Sequence, residues 1–143
     1  MRKALLEAEA AMAEGEIPIG AVIVCQDHVI ARAHNLTETL HDVTAHAEMQ
    51  AITAASSYLG AKYLNECTLY VPLEPCVMCA GAIAWTRLDA LYYGAGDPKT
   101  GAIEQGAKVF SHPQTHHKIK IEKWDSPECG QIMTQFFKGK RSS

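Results

Sequence analysis

The chain has 143 residues, 48% of them hydrophobic and 20% charged, with a net charge of −3. This composition suits one globular domain with a sizeable core, spanning 1–143, and no apolar run approaches the roughly 20 residues that cross a bilayer. An acidic balance gives no sign of nucleic-acid binding, where a basic one is usual, although Lys138, Lys140 and Arg141 cluster near the C-terminus.

In chain order, Arg2 to Glu14 reads as an amphipathic helix, with Leu5, Ala8 and Met12 at helical spacing and Gly15 as its stop. Glu7, Glu9 and Glu14 interrupt this start, which argues against a signal peptide. Ile17 to Cys25 is a β-branched apolar run, expected as a strand covered on both faces. Gln26-Asp27 turns the chain into a second strand, His28 to His34, followed by a polar loop from Asn35 to Val43. Thr44 suits the N-cap of a helix that carries Met49, Ile52 and Ala55 on one face. Cys67 to Val71 is a third strand, and Pro75 suits the first turn of a helix ending near Thr86. Ala90 to Tyr93 is a fourth strand, and a loop from Gly94 to Gly101 leads to a short helix ending near Phe110. Lys118 to Lys123 is a fifth strand and Pro127 to Lys138 a closing helix. Strands alternating with helices predict an α/β layered domain with helices on both sheet faces.

Five cysteines without an export signal point to a reducing compartment, and the odd count argues against a disulfide framework. Cys25, Cys67 and Cys129 lie in apolar runs and read as small core residues. Cys76 and Cys79 differ: at i and i+3 on a helix they share a face and can grip one ion. A helix N-terminus carries positive partial charge and free amides, which favours thiolate over thiol. His46-Ala47-Glu48 falls at the start of another predicted helix. One imidazole and two thiolates leave a fourth zinc position open, as catalysis requires. Two thiolates also make the site formally neutral and a mild Lewis acid, so a proton carrier such as Glu48 is needed beside it. The competing reading is a closed zinc staple, which needs a fourth ligand, His41 or Cys67, and has no use for Glu48.

H-x-E followed by P-C-x-x-C resembles the signature of the cytidine-deaminase-like zinc hydrolases. Glu16 to Val22, Thr44 to Glu48, Cys67 to Val71, Leu73 to Ala82 and Tyr93 to Ala95 resemble, more narrowly, the bacterial tRNA adenosine-34 deaminases. That resemblance implies a three-layer α/β/α fold with a five-stranded mixed sheet. It also implies one Zn²⁺ per subunit on His46, Cys76 and Cys79, with Glu48 as proton shuttle. A zinc-activated water would attack C6 of adenine at the wobble position of a tRNA, leaving inosine. Asn35 would read the purine, amides near Ala47 and Cys76 would hold the base, and Asp97 would lie near the ribose. Phe136, Phe137, Lys138 and Arg141 would contact the anticodon stem-loop of a homodimer acting in the cytoplasm. Gly96, where many relatives have arginine, and Trp85 depart from the pattern. Trp85 is shared with some guanine deaminases, which keeps free-base or nucleoside deamination of guanine or cytosine as the alternative.

Overall fold

The computed structural model describes residues 1–115, 117–124 and 126–142, with 140–142 as helical backbone only. Its elements are α1 (Arg2–Ala13), β1 (Gly20–Cys25), β2 (His28–His34), α2 (Ala47–Leu59), β3 (Cys67–Leu73), α3 (Val77–Trp85), β4 (Ala90–Ala95), β5 (Lys120–Lys123) and α4 (Pro127–Ser142). The strands form one sheet in the order β2-β1-β3-β4-β5. β1 runs antiparallel to β2 and β3, whereas β3, β4 and β5 are parallel, so the sheet is mixed, as expected.

Alternation sorts the strand residues between two helical layers. Ala21, Ile23, Leu69, Val71, Leu91 and Tyr93 join Ala51 and Ala55 of α2 and Ile83 of α3 in the main core. α1 and α4 cover the opposite face. There α1 buries Ala4, Ala8 and Ala11 rather than a face built on Leu5 and Met12, because its small residues come down on Gly20. A Cβ at Gly20 would overlap the Ala4 carbonyl, and one at Gly94 would overlap the Cys129 sulfur of α4. The three layers follow from these contacts.

Several boundaries move for local reasons. β1 begins at Gly20, not Ile17, because Ile17 to Ile19 closes a tight turn around Pro18, with Ile19 N–H donating to Ile17 O at 2.8 Å. Thr44 is not the N-cap of α2. Its amide and hydroxyl donate to Asp42 Oδ1 at 2.8 and 2.7 Å, a local turn that leaves His46 as the flanking residue. Pro75 lies outside the first turn of α3, because β3 keeps its parallel pairing as far as Leu73–Ala95 and Cys76 becomes the flanking residue. The helix expected before Phe110 is only a 3₁₀ turn, Val109–Ser111.

Candidate metal and base-binding centre

α2 and α3 both start at the edge where the parallel strands β3 and β4 end, the usual place for ligands in α/β sheets. Their flanking residues are the candidate ligands: His46 before α2, Cys76 before α3, with Cys79 one turn into α3. The sulfurs of Cys76 and Cys79 lie 3.7 and 3.4 Å from His46 Nδ1. A tetrahedral zinc with Zn–S near 2.3 Å and Zn–N near 2.0 Å spaces its ligands by about 3.5–3.8 Å, so this donor set fits that ion. His41 and Cys67 stand apart from the group, and among the described residues no other trio of donors comes together. The closed-staple reading therefore lacks its fourth ligand. His116 lies outside the described residues, and His117 Nε2 meets Leu88 O at 3.1 Å.

The two thiols titrate as a pair. A hydrogen bond from the Cys79 thiol pulls Cys76 down to about 5, helped by the backbone amides of Cys79 and Met78 and by His46. The same contact with Cys76, reinforced by burial and by Glu48, pushes Cys79 up. One proton leaves readily and the other needs a cation to displace it, as a metal would.

Glu48 sits in the first turn of α2, 3% exposed, and its Oε1 is buried without a partner. Burial pushes its carboxyl up to about 7; the Cys76 thiolate adds to this, while its own amide and His46 oppose it. An orphaned carboxylate oxygen beside three converging ligand atoms marks where a water is expected to be held and deprotonated.

These groups open into a cavity of about 530 Å³, within the usual range for small-ligand sites. His46, Glu48 and Cys76 form its floor; Ile17, Ile19 and residues 95–100 form walls; and Met133, Thr134 and Phe137 of α4 close one side. Asp97 reaches the cavity, but its carboxylate accepts the amides of Lys99 and Thr100 at 3.0 and 3.2 Å and the Thr100 hydroxyl at 2.6 Å. Asn35 is 3% exposed and is not among the cavity-lining residues; its Nδ2 faces Thr37 Oγ1 at 3.3 Å and Glu16 Oε1 at 3.5 Å. Ala47 is buried as the first residue of α2, so its amide belongs to the set that helices leave without an internal carbonyl. Phe136 is 8% exposed and packs edge-on against Phe137, which reaches the cavity rim. The side chain of Arg141 lies outside the described residues.

Two residues that sequence reasoning passed over are Glu16 and Glu74, both buried. Their partners are backbone amides 22 to 30 residues further along the chain, so no local spacing marks them. Trp85, in contrast, is 81% exposed and lies off the cavity wall.

Residues 1–141 match the MafB19-like deaminases. A tRNA-specific adenosine deaminase of Agrobacterium fabrum is 49% identical over 99% of this chain and 93% of its own length. A structure from a study of A-to-I editing by tRNA:A34 deaminases at the wobble position is 50% identical, covering 87% of this chain and 95% of its own, with a TM-score of 0.84. A guanine deaminase structure from Bacillus subtilis is 34% identical over 99% of this chain and 91% of its own, with a TM-score of 0.66.

Proposed function

Because this chain belongs to the MafB19-like deaminase family, we propose that it converts adenosine to inosine at the wobble position (34) of a tRNA anticodon. The observation that carries the reading is Glu48 Oε1, unpartnered beside the His46, Cys76 and Cys79 donors in a cavity with room for a nucleoside. The high identity to proteins named for that activity supports the choice of substrate.

Zinc bound to His46, Cys76 and Cys79, one per subunit, would lower the pKa of a water toward about 7. The remaining steps belong to the chain. Glu48 takes the proton of the water that adds to C6 of the adenine and delivers it to N1. It then carries a second proton from the new hydroxyl to the exocyclic amine, which leaves as ammonia, so water and adenosine become inosine and ammonia. First-turn amides at Ala47 and at the start of α3 face the developing charge. Asn35, off the cavity wall with its amide on Thr37 and Glu16, leaves those contacts to read the purine edge. Asp97 flanks the ribose through the turn it caps, and Phe137 with the C-terminal residues Phe136 and Arg141 contacts the anticodon stem-loop. The protein works as a cytoplasmic homodimer of single-domain subunits.

Guanine deamination has weaker support. Trp85, its sequence argument, does not reach the cavity.

Inosine formation in total tRNA, mapped by position, tests the proposal. The wild type is expected to place inosine at position 34. Glu48→Ala should keep its zinc and fold while losing about 10²–10⁴-fold in rate, the usual worth of a general acid–base group. Turnover of free guanine or cytosine without any inosine in tRNA would refute the assignment.

A further inference from the structure

The cavity wall formed by Gly96 to Thr100 continues to Glu104 with no helix or strand, apart from one bridge between Gly101 and Cys76. Irregular backbone keeps a single shape only when its amides find acceptors. Three of them find the same one. Glu74 Oε1 accepts the Asp97 amide at 2.9 Å, and Oε2 accepts the amides of Ile103 and Glu104, each at 2.8 Å. The carboxylate is packed directly beneath Gly101, where any Cβ would overlap it. The Ala102 amide donates to Pro75 O at 3.0 Å, next to the Cys76 ligand. Both oxygens of Glu74 are thus engaged with backbone, although the residue lines the cavity.

We propose that Glu74 is a positioning residue for substrate: its buried carboxylate ties the Asp97–Thr100 wall to the strap that carries Cys76. Wall and ligand then move as one body, and the distance from ribose wall to reacting centre is fixed before RNA arrives. The inference rests on the deaminase reading of the cavity. Glu16 is organised alike in a different loop, accepting the amides of Glu38 and Thr39 at 3.0 and 2.7 Å, and it supplies the control.

The test is Glu74→Gln in the zinc-loaded full chain, with amide exchange followed by NMR and kinetics on an anticodon stem-loop. Glutamine keeps the shape and one acceptor. Its oxygen should stay with the two amides of Ile103 and Glu104, leaving Asp97 N–H facing an NH₂ group. Exchange at Asp97 should speed up about tenfold or more, the loss of one charge-assisted bond, with zinc content unchanged. KM for the stem-loop should rise about tenfold while kcat stays within about threefold, the pattern of a wall that holds substrate equally in ground and transition states. Glu16→Gln should leave exchange at Asp97 as in the wild type. Glu74→Asp, which keeps the charge but draws the carboxylate back by one methylene, should reproduce the Glu74→Gln pattern and serves if that variant folds poorly. Unchanged exchange at Asp97 in both variants would overturn the proposal, as would a fall in kcat at constant KM. Exchange needs no substrate, so failure of the tRNA assignment would show separately, as a wild type that makes no inosine.

Discussion

Buried in the first turn of α2 with one oxygen unpartnered, Glu48 is held where its charge is least welcome, and its carboxyl rises from 4.5 to about 7. In the metal-free protein the folded state therefore binds this proton more tightly than the unfolded state does. The resulting stability is fully present below about pH 4.5 and is lost as pH rises through about 7, a difference of roughly 3 kcal/mol. Glu48→Gln removes the titration. Metal-free Glu48→Gln is expected to melt above the metal-free wild type at pH 8, with the gap closing toward pH 4.5, as read by thermal denaturation at both pH values. An equal gap at the two values would show that folding does not raise this carboxyl. The zinc-loaded variant should meanwhile lose about 10²–10⁴-fold in activity, so stability and function pull this residue in opposite directions.

At the scale of elements, the site depends on where helices begin, and sequence periodicity places those starts less well than it places strands. The ligand set was readable because Cys76 and Cys79 share a helix face and His46-Ala47-Glu48 follows a polar loop. The starts themselves shifted because Asp42 captures Thr44 and because β3 runs on through Pro72 to Leu73. Neither competitor leaves a periodic signature. The buried carboxylates of Glu16 and Glu74 were missed for the same reason, since their partners are amides about 20 to 30 residues away. Tertiary approach at Gly94 was also invisible, because only packing shows that α4 presses Cys129 onto it. Gly94→Ala is expected to destabilise the fold by about 1–3 kcal/mol through overpacking between β4 and α4. Urea denaturation should show a lower midpoint at unchanged slope, whereas an unchanged midpoint would mean that α4 shifts freely.

At the scale of the whole molecule, the proposed tRNA substrate is polyanionic while the chain carries a net charge of −3. Phosphate binding scales with local cations rather than with net charge, and each neutralised phosphate contributes about 0.7 to the dependence of log K on log salt for single strands. Lys99 is exposed on the cavity wall, beside the turn that Asp97 caps. Arg87 lies beyond the far end of α3 and stacks on the Tyr63 ring with its guanidinium carbon 4.0 Å from the centroid. If the anticodon loop enters over the Asp97–Thr100 wall, Lys99→Ala should weaken stem-loop binding and flatten the salt dependence by about 0.7. Arg87→Ala should leave that slope unchanged. Fluorescence anisotropy of a labelled stem-loop across a salt series, with catalytically silent Glu48→Ala as the background, reads both slopes. A change for Arg87→Ala with none for Lys99→Ala would put the RNA on the far end of α3 instead, away from the wall that Glu74 supports.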